Sequence, residues 1–347
     1  MEELKLSQEI PALLLPWFQA NQRRLPWRED RQPYHIWLSE IMLQQTRVEA
    51  VKSYYIRFLQ VLPTVRALAE CDDELLAKLW EGLGYYSRMR NLKKAAQIIV
   101  SQYGGVFPRT YQEIRQLPGI GDYTAGAVCS IAYDMPTPAV DGNVLRVVSR
   151  LRNDPRPIDS PKIKQEVQDI LQEIYPPEAG MFTQALMELG ATLCGPNRKP
   201  ECKGCPLSGL CLACKAGTAE TLPQKSPKRE KRQEEKTVFI LTCGDCVALN
   251  KRPDSGLLAG LWEFPNVPGI LTPQQAIDTL IDRGISPTSI TKQSRRKHIF
   301  THIVWNMLAY YVEVQQPGGD FTWIPNRELS NAPALPTAFR MFWEDNP

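Results

Sequence analysis

Five cysteines, Cys194, Cys202, Cys205, Cys211 and Cys214, crowd into the segment CGPNRKPECKGCPLSGLCLAC. The first four have the spacing C-x7-C-x2-C-x5-C, in a Pro-rich loop with little apolar content and no other evident reason to be ordered. Four thiolates so spaced can hold zinc or an iron–sulfur cluster, and the spacing does not choose between them. Cys214 is then a spare thiol that could exchange roles with Cys211. A second pair, in CGDC at Cys243 and Cys246, reads as a hairpin turn rather than a metal site.

Two carboxylates stand in contrasting settings. In PYHIWLSEIMLQQTRVEAV, at about 100° per residue, Trp37, Ile41, Val48, Val51 and Tyr55 share one direction, with Glu40 on the shoulder of that stripe. A partly buried carboxyl resists ionisation, so its pKa should rise, as a general acid near neutral pH requires. The alternative is a snorkelling Glu paired with Arg47 or another base. Gln44, near the stripe centre, argues that the helix breaks at Gln44 and Gln45, with Thr46 and Glu49 as a capping box that restarts it. Gln45 then occupies a protruding turn. Asp141 opens VDGNVLRVVSRL as a predicted N-cap, where the helix dipole and N–H groups should keep it ionised and able to stabilise a developing cation. In LPGIGDYTAGAVCSIAY, Gly119 and Gly121 form a tight hairpin ahead of a helix, whose N–H groups can receive a phosphate. Such a clamp holds DNA by its backbone without sequence preference; the alternative is a plain helix-to-helix turn.

The elements carrying these groups fall into two textures. A chain of 347 residues, 43% apolar and 23% charged, has the composition of a soluble globular protein of two domains or more. Residues from about 1 to 192 show helical periodicity without strand alternation. After the cysteines, residues 215–236 hold seven Lys or Arg against four Glu and account for the whole net charge of +3. They read as a solvated basic linker. From residue 237, TVFILTC, CVALNKR and HIVWNMLAYYVEV read as strands and TPQQAIDTLIDRG as a helix, giving an α+β domain. The apolar run Ile10–Phe18 contains two prolines and falls short of a membrane span or signal peptide, so a cytoplasmic chain with no membrane partner is expected.

LPWR at Leu25–Arg28, SEIMLQQTRV, WEGLGYYSRMRNL, LPGIGDYTAGA and AVDGNVLRV together resemble the endonuclease III superfamily of DNA glycosylases, and within it the MutY-type adenine glycosylases, over essentially the whole chain. The resemblance implies a multi-domain protein: an all-α helix-hairpin-helix glycosylase domain over 1–214 ending in a 4Fe-4S loop, the linker, and a Nudix-like lesion-recognition domain over 237–347. It is the resemblance that favours iron–sulfur over zinc, on Cys194, Cys202, Cys205 and Cys211. It further implies catalytic roles for Glu40, Asp141, Tyr123 and Asn143, and an adenine pocket among Trp27, Arg28, Leu43 and Gln184. DNA contacts are implied for Gln45, Thr46, Tyr85, Gly119 and Gly121, and for Phe300, Thr301 and His302 in KHIFTHIVW. Arg198, Lys199 and Lys203 of the cysteine loop would lie near phosphates.

Departures from the family pattern are Thr301 where Ser is common, Gln184 where some relatives have Glu, and seven residues rather than six after the first cysteine. Tyr123 stands where bifunctional relatives carry a Schiff-base Lys, so efficient strand cleavage is not expected. No REXXEEXG core follows Phe264, so Nudix hydrolysis is not expected. The expected partner is duplex DNA with adenine opposite 8-oxoguanine or guanine, bound by a monomer. The rival readings are a G·T mismatch or oxidised-pyrimidine glycosylase, and a non-catalytic iron–sulfur lesion-binding protein.

Overall fold

The computed structural model describes residues 6–196, 199–227, 230–329 and 334–344 and divides into two compact units. The first runs through Glu70 and resumes over Arg90–Pro227; the second joins Cys71–Met89 to the chain from residue 228 onward. Helices follow in order as α1 (Ile10–Asn21), α2 (Pro33–Leu43), α3 (Val48–Val61), α4 (Val65–Glu70), α5 (Asp73–Trp80) and α6 (Tyr86–Tyr103). After them come α7 (Tyr111–Gln116), α8 (Asp122–Tyr133), α9 (Gly142–Arg152), α10 (Pro161–Gln172), α11 (Ala179–Ala191) and α12 (Leu212–Ala216).

Local chemistry sets many of these boundaries. Proline occupies the first turn of α1, α2 and α10, where its missing N–H costs nothing. Thr110 and Glu113 form a reciprocal capping box on α7, and Asp141 caps α9. Asp134 and Asn153 end α8 and α9 in the left-handed conformation, which their short polar side chains tolerate. Val144, Val148 and Leu151 of α9 pack with Phe182, Leu186 and Leu189 of α11 and with Leu14 and Phe18 of α1. Helix α8 packs against α2 on one side and α11 on another.

The expected stripe through residues 37–55 is divided between two helices. α2 ends at Leu43 and α3 begins at Val48, so the interruption at Gln44 and Gln45 is present, with Gln45 at φ 57°. The expected Thr46–Glu49 capping box is not the device that restarts the helix. Arg47 is the N-cap residue, Thr46 Oγ1 donates to Gln44 O at 3.3 Å, and Glu49 accepts from Lys52 Nζ at 2.8 Å. The turn between the helices consumes one residue more than the box allows.

The linker expectation over 215–236 also requires correction. Arg150 Nε donates to Leu222 O at 3.0 Å, Ile158 N to Gln224 O at 3.1 Å and Ser226 N to Asp159 Oδ1 at 3.0 Å, fastening the early part to the helical unit. The later part starts a strand at Arg232. Backbone hydrogen bonding orders a polar stretch that has no apolar periodicity of its own.

The second unit is built on β1 (Arg232–Cys243), β2 (Cys246–Lys251), β3 (Trp262–Glu263), β4 (Asn266–Pro268), β5 (Pro287–Ile299), β6 (Ile303–Val314) and β7 (Thr322–Pro325). The main path is β3-β2-β1-β6-β5, with β4 on β1 and β7 on β2. β1 and β6 pair in parallel from Arg232 opposite Ile303 to Thr242 opposite Glu313, while β5 and β6 form an antiparallel hairpin. Cys243 and Cys246 face one another across the β1–β2 hairpin, with Gly244 at φ 55°, as expected for CGDC. Both faces of the central strands are covered, while β5 is largely exposed. Helix α13 (Pro273–Asp282) packs by Ala276 and Leu280 on the face of Phe239, Leu241 and Tyr310; α14 (Thr337–Trp343) packs by Phe339 and Phe342 on the face of Val238, Ile240 and Trp305. That explains the unbroken apolar run in VFIL, since neither face meets water.

Phe339 is fully buried against Trp305, their ring centroids 5.9 Å apart. Phe339→Ala is expected to destabilise this unit by about 3–5 kcal/mol, read as a lowered urea midpoint of the sheet's unfolding transition.

Candidate active site

The side chain of Glu40 leaves α2 and is 6% exposed. Tyr123, in the first turn of α8, donates its hydroxyl proton to Glu40 Oε2. Burial pushes the Glu40 pKa up to about 7; the Tyr123 bond opposes this, the charge of Asp141 adds to it and that of Arg28 opposes it. The Tyr123 phenol is raised well above its ordinary value, first by burial and then by the charges of Glu40 and Asp141. Glu40 is thus a buried carboxyl that keeps its proton to higher pH than a snorkelling surface carboxylate would.

Asp141 accepts from Val144 N at 2.7 Å through Oδ1 and from Asn143 Nδ2 at 2.7 Å through Oδ2. The N-cap expectation is realised, but the electrostatic expectation is incomplete. Burial raises the Asp141 pKa, and the bonds from Val144 and Asn143 only partly offset it. Sequence shows the helix start that draws the pKa down; it does not show the surrounding protein that pushes it up.

Asn143 is held in turn. Arg146 Nη2 donates to Asn143 Oδ1 at 2.8 Å and to Gly190 O at 2.6 Å, and Arg146 Nε to Cys194 O at 2.8 Å. The close approach of α11 requires Gly190, where a Cβ would lie 2.6 Å from the Asn143 Cβ. One bonded path therefore runs from Asp141 to the first cysteine of the loop.

Trp27 is 7% exposed and meets Tyr55 edge-on at 5.6 Å between centroids, and Arg28 follows it in the turn Pro26–Arg28. Trp37 is fully buried, a core residue. Leu43 is half-buried at the end of α2. Gln184 is half-buried on α11, its amide Nε2 turned back to Gly180 O at 3.2 Å. Sequence reasoning missed Glu188, which is wholly buried and bonded to both Arg23 and Arg28. It appears in ALMELG as one polar residue on an apolar helix, and no local signal distinguishes it from an exposed Glu.

The hairpin lies between α7 and α8. Gly119 has φ 77°, and a Cβ there would meet the Asn91 Cβ at 2.6 Å, so both conformation and space exclude a side chain. Arg115 staples the turn, donating from Nη1 to Ile120 O at 3.1 Å and from Nε to Asp122 Oδ1 at 2.5 Å. Gly121 is the N-cap of α8.

All five clustered cysteines line one cavity, with Val147, Leu151, Leu189, Leu193 and Leu207 in its wall. Arg150 Nη1 donates to Cys194 Sγ at 3.1 Å, and the Cys211 thiol donates to Arg150 O at 3.3 Å. Burial pushes the Cys202 and Cys205 thiols up to about 11. Among the described residues, no set of three His, Cys, Asp or Glu converges as a single-ion site. The donor set of this cavity, five thiols with apolar walls and the Arg150 guanidinium, fits a thiolate-ligated group. Arg198 lies outside the described residues; Lys199 pairs with Glu220 at 2.9 Å.

In the second unit, Phe300, Thr301 and His302 form the loop between β5 and β6. Phe300 is anchored edge-on to Trp305 at 4.8 Å, while Thr301 and His302 are exposed. Thr301 Oγ1 lies 3.3 Å from the hydroxyl of Tyr85, which is 43% exposed at φ 48°. Gln45 and Thr46 belong to the first unit.

The model of the HhH-GPD superfamily base excision DNA repair protein matches residues 38–177, and that of the NUDIX domain matches 237–345. Fold and site thus define a base excision repair glycosylase of the helix-hairpin-helix class carrying a Nudix-like domain. The adenine DNA glycosylase of Rattus norvegicus is 35% identical over 399 residues, spanning 95% of this chain and 77% of the relative. The chain belongs to the adenine DNA glycosylase family. Its helical part is also similar to a solved thermostable thymine-DNA glycosylase, with TM-score 0.55 and 28% identity over 60% of this chain and 97% of that one. An endonuclease III–DNA complex aligns with TM-score 0.52 and 26% identity over 61% of this chain and 98% of that one. Among the described residues no helix is long and apolar enough to cross a membrane.

The carboxyl of Glu40 supplies a test in stability. Between its ordinary pKa of 4.5 and the folded value of about 7, the folded state binds more protons than the unfolded state. Stability should therefore fall as pH rises through that window and level off above it. Glu40→Gln removes this cost and is expected to stabilise the protein by about 2–3 kcal/mol at pH 8, with no such gain at pH 4. Urea melts at the two pH values measure the difference; an equal gain at both would show that Glu40 titrates normally.

Proposed function

We propose that the protein removes adenine mispaired with 8-oxoguanine, and with lower preference guanine, from duplex DNA by hydrolysing the N-glycosidic bond. The observation that carries this reading is the pairing of a buried Glu40, its pKa raised to about 7, with an N-capped Asp141 in the same helical unit. Adenine inside a duplex is out of reach, so it is flipped into a pocket formed by Trp27, Arg28, Leu43 and Gln184. The phosphate backbone is held at the Gly119–Gly121 hairpin, Gln45, Thr46 and Tyr85 contact the opened stack, and Phe300, Thr301 and His302 read the base opposite adenine.

Protonated Glu40 gives its proton to N7, and the C1′–N9 bond then breaks with its electron pair leaving on the base. Asp141 stabilises the oxocarbenium character at C1′, while Asn143 holds Asp141 and Tyr123 holds Glu40. Water attacks C1′ and yields its proton to the Glu40 carboxylate, which restores the acid and leaves an abasic site. Tyr123 offers no amine for a Schiff base, in keeping with hydrolysis without strand cleavage. The thiols of Cys194, Cys202, Cys205 and Cys211 would ligate a 4Fe-4S cluster, whose bonds to four points of the loop supply order to that segment.

Removal of thymine opposite guanine is the second reading, favoured by the likeness to the thymine-DNA glycosylase. That likeness covers 60% of the chain, whereas the adenine-specific rat relative aligns over 95%. Single-turnover base release from duplexes with adenine opposite 8-oxoguanine, adenine opposite guanine and thymine opposite guanine separates the two. Adenine is expected to leave, with breaks appearing only after alkali, and Glu40→Gln is expected to lose base release by a factor of about 100 or more. Release of thymine alone would reassign the pocket; an active Glu40→Gln variant would remove the acid from the mechanism.

Cys194→Ser is expected to lower bound iron and the thermal midpoint together. Iron content and a melting curve of the purified protein measure this, and an iron-free wild-type protein of the same stability would reject the cluster.

A further inference from the structure

Outside the carboxyl pair, the helical unit holds a fully buried charge in Glu188, at 0% exposure on α11. Its Oε1 accepts from Arg23 N at 3.1 Å and Arg23 Nε at 2.6 Å, and its Oε2 from Arg23 Nη2 at 2.9 Å and Arg28 Nη2 at 2.8 Å. Arg28 is further fixed by donating from Nη1 to Arg23 O at 3.1 Å and by lying 5.2 Å over the Phe18 ring. One anion thus anchors two guanidiniums of the segment between α1 and α2. An isolated buried carboxylate would take up a proton; here the two arginines outweigh burial and keep the Glu188 pKa below its ordinary value.

Arg28 acts electrostatically on Glu40 in the sense that favours its ionised form. The charged or titratable groups acting on Glu40 are Tyr123 from α8, Asp141 from the start of α9, and Arg28 from the turn before α2. An unanchored, uncompensated Arg28 would be a competing partner for the very carboxyl that must keep its proton. We propose that Glu188 is a positioning residue that clamps and neutralises Arg28, so that the guanidinium stays beside the base pocket while Glu40 remains available as a proton donor. Arg23 is the second strut of the clamp, fixing both oxygens of Glu188 so that its rotamer cannot follow Arg28.

This inference rests on Glu40 being the general acid. The test is the pH profile of single-turnover adenine release. Wild-type rates should fall above a midpoint near the Glu40 value of about 7. In Glu188→Gln, which keeps the shape and removes the charge, that falling limb is expected to move down by about one pH unit, a roughly tenfold loss at a pH above both limbs. Glu188→Asp should return the limb toward the wild-type position. Arg28→Met, which removes the competing cation, should move it upward, and serves if Glu188→Gln does not fold. A purely structural Glu188 would lower the rate equally at every pH with the limb unmoved, and that result, or an unmoved limb in Arg28→Met, would overturn the proposal. A wild-type profile with no falling limb would instead sink the acid role of Glu40 itself.

Discussion

A carboxyl taken out of water holds its proton, and at Glu40 that single cost of desolvation organises the helical unit. Burying the group between α2 and α8 lifts its pKa to about 7, and the partners around it are arranged so as not to reverse the shift. Tyr123 satisfies one oxygen, Asp141 adds a nearby negative charge, and the nearest guanidinium is held by Glu188. A surface Glu would form an ion pair at little net gain and would be ionised at neutral pH. The burial that raises this pKa lowers stability above the carboxylate range, so the protonated carboxyl is maintained by the packing around it.

Helix termini do much of the positioning. α2 ends one turn after Glu40, α8 begins at the hairpin and presents Tyr123 within its first turn, and α9 begins at Asp141. These starts bring unpaired backbone N–H groups and rigid helical axes to one region, where anions are stabilised and side chains have few alternative rotamers. From Asp141 the bonds continue through Asn143 and Arg146 to the Cys194 carbonyl, and Arg150 adds a second tie to Cys194. The cysteine loop is therefore joined to the capping residue by hydrogen bonds as well as by the apolar cluster in which Cys194, Cys205 and Cys211 pack against α9 and α11.

The second unit places its chemistry differently. The central strands are buried on both faces, so the unit's exposed groups lie on the loops and along β5, which is open to solvent over most of its length. In the β5–β6 loop Phe300 is held edge-on against Trp305, while Thr301 and His302 are exposed. Tyr85 meets Thr301 because the Cys71–Met89 segment is part of this unit despite its position in the helical half of the sequence.

Motif spacing and periodicity carried a large part of this description. The all-α to α+β change, the break at Gln44 and Gln45, the Asp141 cap, the hairpin at Gly119 and the turn at CGDC are all local, set by three to ten consecutive residues whose backbone preferences do not depend on distant partners. The apolar stripe likewise indicated a shielded Glu40. What the sequence could not contain is long-range: that Tyr123, 83 positions away, would bond Glu40, and that Glu188 would close on Arg28 across 160 positions. Nor could it show that burial would raise the Asp141 pKa against its cap, or that residues 215–227 would be tied down by bonds to α9 and its neighbours rather than left as a solvated linker. Residue type and spacing determine which groups can do chemistry; only packing decides which of them lose water, and so which carry a proton at neutral pH.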